Sequence, residues 1–151
     1  MRFFPLGVVG LIGIWNFPFW QTMVSAIPAL LTGNAVVFKP SEKATKSGLL
    51  ISDIFNSSEG FPDDVFVAVV GGPDQGRVLV KSGVDAVVYT GNIKTGREIL
   101  KNAGVKPVFL ELSGNDAAVV CGDCDLDQAV SGVVSGVAPG VVPGCVCIFI
   151  K

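Results

Sequence analysis

No histidine occurs among the 151 residues. Without imidazole the chain cannot assemble a Ser-His or Cys-His nucleophile pair, or a His-ligated metal, from its own side chains. Charge is also sparse: 11 Lys and Arg against 13 Asp and Glu leave a net −2, with no basic run. Nothing in that pattern neutralises a phosphate backbone, so nucleic acid is not an expected partner. There is no charged-then-apolar leader with a small-residue cleavage site, and cysteines number only four. These features fit a reducing compartment, free thiols and a cytoplasmic location.

The four cysteines fall as Cys121-x-x-Cys124 and, about twenty residues on, Cys145-x-Cys147. That spacing approaches a four-cysteine zinc site. The one-residue spacer is tighter than the usual zinc hairpin and the intervening segment reads as helix, so no metal is expected. A thioredoxin-like role for the C-x-x-C fits less well still. The uncharged stretch from Val130 to Ile150 spaces Gly132, Gly136, Gly140 and Gly144 four apart, as a membrane helix could. Pro139 and Pro143 interrupt it, at about 3 kcal/mol for each interior proline. A helix from Leu126 to about Val137 and then a turn-rich loop is the expectation, with no membrane span.

Half the residues are apolar and the mean hydropathy is positive, enough for one domain with a substantial core. Apolar runs alternate with helical periodicity. Strands are expected at Val8 to Ile14, around Val36, at Val65 to Val70, Ala86 to Tyr89, Val108 to Leu112 and Ala117 to Val120. Helices are expected at Phe19 to Leu31, ended by Gly33, and at Lys46 to Asn56, Asp74 to Lys81, Lys94 to Ala103 and from Leu126, capped by Asp125. In the first helix Trp20, Met23, Val24, Ile27, Leu30 and Leu31 share one face. Strands alternating with helices of this length form parallel βαβ units, hence a doubly wound α/β fold.

Val36 to Glu42 reads Val-Val-Phe-Lys-Pro-Ser-Glu: a buried strand that ends abruptly in charge and proline. Lys39 and Glu42 then stand at the strand's carboxyl end, where open α/β sheets bind ligands, and suit the hydroxyls and phosphates of a nucleotide. Taken alone, a solvated loop with a surface ion pair fits equally well. Gly71-Gly72-Pro73-Asp74-Gln75-Gly76 and Thr90-Gly91-Asn92 each join strand to helix. Either is a candidate anion cradle or an ordinary connection, and the first does not match G-x-G-x-x-G. Asn16 can donate to a developing oxyanion. Glu111 ends an apolar strand, a setting expected to raise its pKa towards that of a useful base. Cys145 or Cys147 is a candidate nucleophile.

Trp15-Asn16-Phe17-Pro18, Lys39-Pro40-Ser41-Glu42, Tyr89-Thr90-Gly91-Asn92, Glu111-Leu112-Ser113-Gly114 and Asp125-Leu126-Asp127 occur in the order and approximate spacing of the NAD(P)-dependent aldehyde dehydrogenase superfamily, which the chain resembles over nearly its whole length. The resemblance implies that Asn16 stabilises an oxyanion and that Lys39 and Glu42 hold the adenosine ribose. Gly91 and Asn92 would lie near the pyrophosphate, and Ile14, Trp15, Ser41, Gly76 and Leu112 would complete the NAD or NADP pocket. Glu111 would activate the water that releases the acid. A cysteine thiolate would attack the aldehyde, with hydride transfer to the nicotinamide and thioester hydrolysis following.

Counting on from Asp125-Leu126-Asp127 without a gap places Cys145 at the family's nucleophile, while a two-residue shift selects Cys147. Where the family usually reads Asn-x-Gly-Gln, this chain has Gly140-Val141-Val142-Pro143. Residues 1–112 would be part of the cofactor domain and 113–151 the start of the catalytic domain. The resemblance covers a middle section of the family pattern, so the expectations include a fragment or inactive remnant that only binds nucleotide. A full-length relative would form homo-oligomers.

Overall fold

The computed structural model describes residues 4–114, 116–137 and 146–150. They divide into two compact units, Met1–Leu112 and Ser113–Lys151. The first contains β1 (Val8–Ile12), α1 (Pro18–Leu31), β2 (Ala35–Lys39), a 3-10 turn (Glu42–Ala44), α2 (Thr45–Asn56), β3 (Phe66–Ala68), α3 (Pro73–Lys81), β4 (Ala86–Gly91), α4 (Ile93–Asn102) and β5 (Val108–Leu112). Its five strands pair in parallel in the order β3-β2-β1-β4-β5. The expected pairing near Val36 and Val67 is present, with Val37 opposite Val67.

Side chains alternate across a strand, and here they fill two cores on opposite faces. Leu11, Val36, Phe38 and Phe66 meet Ala26 of α1 and Ile51 of α2. Their neighbours Ile12, Val87 and Tyr89 turn the other way, against Leu79 and Val80 of α3 and Ile99 of α4. Both faces of the central strands are therefore covered, which is why they read as continuous apolar runs. At the edge, Val108, Leu110 and Leu112 pack on the α3/α4 side, whereas Phe109 and Glu111 are exposed.

Element boundaries depart from expectation by a few residues, most at β3, an edge strand that spans only Phe66–Ala68. The expected inner face of α1 needs a larger correction. Trp20 and Leu31 are 70% and 82% exposed, and Val24 and Ile27 are also exposed. Thr22 and Ala26 are buried instead, with Met23, Ala29 and Leu30 packed on the core. The space beneath the helix is already taken: a Cβ on Gly13 would stand 2.8 Å from the Phe38 ring and 3.7 Å from Thr22 Oγ1. Small side chains let the helix approach the sheet, and the bulky ones fall outside.

Asn34, buried, accepts from the amides of Leu6 and Gly7 and donates to the Ala29 carbonyl, joining the end of α1 to the entry of β1. Gly33, at φ +85°, supplies the left-handed residue just past α1.

The second unit holds β6 (Asp116–Val120), α5 (Leu126–Val137) and β7 (Val146–Ile150), with β6 and β7 parallel. Asp125 caps α5, its Oδ1 accepting from Gln128 N at 3.0 Å. The turn-rich loop expected after Val137 lies outside the described residues, and β7 was not foreseen. Among the described residues no helix is long and apolar enough to cross a membrane.

Candidate active site

Strand order reverses between β1 and β4, because α1 carries the chain from β1 to one side while α4 carries it from β4 to the other. Loops at the carboxyl ends of those two strands diverge and leave a crevice, where open α/β sheets bind their ligands. The loop after β1 contains Ile14, Trp15 and Asn16, and the turn after β4 contains Gly91 and Asn92. Gly13 N donates to the Lys39 carbonyl at 3.0 Å, which brings the end of β2 to the same rim.

The sheet separates the candidate residues into two groups. Gln21 Nε2 donates to Thr90 Oγ1 at 3.1 Å, so Thr90 faces α1. Thr90 is the register partner of Glu111, and paired residues share a face. Asn16 precedes α1 by two residues. Glu111, the candidate base, is thus on the α1 side, and Asn16, the candidate oxyanion donor, lies in the loop that leads into α1. Glu111 is exposed rather than enclosed by apolar groups as expected. The reason is positional: it lies on the face of the edge strand opposite Val108, Leu110 and Leu112.

Lys39 belongs to the other side. It is 4% exposed, and a Cβ built on Gly76 of α3 would lie 3.8 Å from its Cδ. Its Nζ donates to the Pro40 carbonyl at 2.9 Å and meets Glu42 Oε2 at 3.5 Å. The Glu42 carboxyl is held below the usual range, chiefly by a hydrogen bond from its own backbone amide; burial opposes this, and Lys39 and then Lys43 add smaller lowering effects. Ser41, also buried, begins the 3-10 turn, its Oγ accepting from Lys43 N at 3.4 Å. Lys43 Nζ lies 5.4 Å from the centre of the Trp15 ring, bringing the β2 and β1 loops together.

Two glycine-rich turns behave differently. At the first, Gln75 Oε1 folds back to accept from Gly72 N at 2.9 Å, and a Cβ on Gly71 would overlap the Gln75 side chain. The turn is filled by its own glutamine, an ordinary strand-to-helix connection. At the second, Asn92 Oδ1 accepts from Thr95 N at 2.8 Å, while the other first-turn amides of α4 have no helical acceptor by geometry. Tyr89 Oη donates to the Asn92 carbonyl at 3.4 Å, and a Cβ on Gly91 would overlap that hydroxyl. Leu112 packs against Gly96 of α4. A groove of about 440 Å³ along α3, lined by Asp74, Arg77, Val78, Lys81 and Ser82, includes none of the candidate site residues.

This donor set fits a dinucleotide. A paired ammonium and carboxylate suit ribose hydroxyls, and a glycine turn opening a helix suits a pyrophosphate. Cys145 lies outside the described residues. Cys147 is in β7 opposite Ala117, and its side chain is likewise outside the description. Two contributors went unnoticed in the sequence: Gln21 looked like a polar position on an apolar helix and Thr22 like its neighbour, while Tyr89 stood in a motif without a role of its own. Only Tyr89, one residue before the Thr-Gly-Asn turn, carried any local signal. Among the described residues no group of three or more His, Cys, Asp or Glu could hold a metal.

A family model for the aldehyde dehydrogenase family matches residues 1–150. The benzaldehyde dehydrogenase [NAD(+)] of Pseudomonas putida is 45% identical over 131 residues, which are 84% of this chain and 27% of that protein. A lactaldehyde dehydrogenase structure superposes with a TM-score of 0.90 at 34% identity, covering 98% of this chain and 32% of that one. A structure of PnpE in complex with nicotinamide adenine dinucleotide gives 0.85 at 35% identity, covering 91% and 29%. The chain spans about a quarter to a third of the length of these relatives. Five ordered motifs, a parallel sheet whose order reverses beside two of them, and a match along nearly every residue have one common source: the chain belongs to the aldehyde dehydrogenase family.

Proposed function

We propose that these residues form the cofactor-binding part and the nucleophile segment of an NAD-dependent aldehyde dehydrogenase, which oxidises an aldehyde to a carboxylic acid. The observation that carries this reading is the division of the rim: Glu111 lies on the α1 face and Lys39 on the α3 face of one parallel sheet, with Asn16 in the loop that leads into α1. When bound, the nicotinamide supplies the hydride acceptor. Lys39 and Glu42 hold the adenosine ribose, with Ser41 and Gly76 beside them. Ile14, Trp15, Gly91, Asn92 and Leu112 border the rest of the cofactor. Glu42, ionised throughout the neutral range, repels a 2′-phosphate and so favours NAD over NADP.

Cys145 attacks the aldehyde carbonyl as a thiolate, and Asn16 donates to the oxygen that becomes anionic. Glu111 takes a proton from the water that cleaves the resulting thioester.

Calorimetric titration of the chain with NAD tests the nucleotide part: Glu42→Ala should weaken binding, and an unchanged affinity removes the assignment. In the whole enzyme, Cys145→Ser should abolish NADH formation with an aldehyde while leaving NAD affinity intact. Glu111→Gln should accumulate acyl-enzyme and release acid slowly. Retained activity in Cys145→Ser with loss in Cys147→Ser moves the nucleophile to Cys147. NAD binding without NADH formation from any aldehyde supports a nucleotide-binding module instead.

A further inference from the structure

Cys121 and Cys124 stand apart from the proposed chemistry, and the fold brings them together. Cys124 N donates to the Cys121 carbonyl at 3.2 Å, closing a tight turn of the two cysteines around Gly122 and Asp123. A hydrogen-bonded four-residue turn holds its end Cα atoms within about 7 Å, the range a disulfide spans. Both flanks are fixed. Val120, just before the turn, pairs with Ile150, and Asp125, just after it, caps α5 through Gln128 N. Both thiols are free, Cys121 exposed and Cys124 partly so. Among the described residues no further His, Cys, Asp or Glu joins them in a metal-binding group. What remains to two adjacent, accessible thiols is two-electron chemistry with each other.

We propose that Cys121 and Cys124 are a redox modification site that closes an intrachain disulfide by exchange with small-molecule disulfides. One cysteine thiolate attacks a sulfur of the small disulfide, forming a mixed disulfide and expelling one small thiolate. The second cysteine thiolate attacks the protein-side sulfur, closes the Cys121–Cys124 bond and expels the other. The protein loses two electrons and two protons, and the small disulfide gains them as two thiols. In a reducing compartment such a pair rests as dithiol and records oxidation. Closure locks the turn from which α5 starts and leaves Cys145 unmodified. Asp123, Asp125 and Asp127 crowd the turn with negative charge, so an uncharged disulfide reaches it more readily than anionic glutathione.

The test equilibrates the 151-residue chain with hydroxyethyl disulfide and 2-mercaptoethanol at graded ratios, traps thiols with N-ethylmaleimide and weighs the peptide holding both cysteines. The expected product is that peptide two hydrogens lighter, without label or adduct, while Cys121→Ser stops at a mixed disulfide on Cys124. Because the turn pre-orders the pair, the closure constant should fall about tenfold in strong urea, a change on the order of one fixed residue's conformational entropy. Two maleimide labels at oxidising ratios, two persistent mixed disulfides, or a bridge to Cys145 or Cys147 overturn the proposal. So does a closure constant that urea leaves unchanged, which would deny the turn any part.

Discussion

Gln21 Nε2 and Thr90 Oγ1 lie 3.1 Å apart across 69 positions of the chain, the one donating to the other. The bond ties α1, which Asn16 and Phe17 lead into, to the end of β4, where the Gly91-Asn92 turn begins.

Breaking that bond should cost about 1 kcal/mol from either end, the usual net value of a partly buried hydrogen bond. Gln21→Leu and Thr90→Val, measured by urea denaturation, should each show this loss. The double variant should lose less than their sum, as residues sharing one interaction do. Strict additivity would mean the contact contributes nothing.

Thr22 offers the opposite case. Its Oγ1 is buried and has no hydrogen-bond partner among the described residues. An unsatisfied hydroxyl carries a desolvation cost with no return, so the near-isosteric Thr22→Val should raise stability by about 1 kcal/mol. Thr22→Ala removes that cost but leaves a void under α1, and should fall below Thr22→Val. A destabilised Thr22→Val would show that the hydroxyl has a partner.

Tyr89, the only tyrosine in the chain, provides a spectroscopic probe. Burial pushes its phenol above the ordinary value of 10.0, opposed by hydrogen bonding with the Thr95 side chain and the Asn92 backbone. The folded value exceeds the unfolded one, so the contribution to stability is intact below pH 10 and is lost as pH rises through the folded value. Tyrosinate absorbance should rise at higher pH in the native chain than in urea. Coincident titrations would place the ring in water.

Gly91 should not tolerate a side chain. Its φ is +155°, and a Cβ there would overlap the Tyr89 hydroxyl. Gly91→Ala should lose about 1–3 kcal/mol, the range for backbone held in a disfavoured conformation. Introducing Tyr89→Phe alongside should recover part of the loss, because the hydroxyl is the nearest obstacle. Thermal unfolding of the single and double variants beside the parent chain checks both statements.

Glu42 contributes to the acid limb. Its folded pKa lies below the ordinary 4.5, so its contribution is present above the unfolded value and disappears as pH falls through the folded one. Glu42→Gln should flatten the dependence of stability on pH below 4.5 and leave it unchanged near neutrality. An unaltered acid slope would mean that the Glu42 carboxyl is not held below its ordinary value in the folded chain.

The sequence alone determined the class of fold and the ends of most elements. Buried parallel strands must be apolar on both faces, and Val36 to Phe38 or Ala86 to Val88 cannot be read otherwise. It also determined where the chain turns, since Pro40, Gly33 and Asp125 act through local sterics and capping. Motif order then carried the family. What the sequence could not decide was direction. Helical periodicity in α1 gave the right helix but only part of its inner face, Met23 and Leu30, because which side packs depends on how closely the sheet lets a backbone approach, and that is set by Gly13 and Phe38 from other segments. Glu111 looked enclosed by its neighbours in sequence, yet an edge strand covered on one face exposes every second residue. Sidedness, the filling of the Gly71-Gly72 turn by Gln75 and the meeting of Gln21 with Thr90 all depend on contacts between distant segments, and only the tertiary structure sets those.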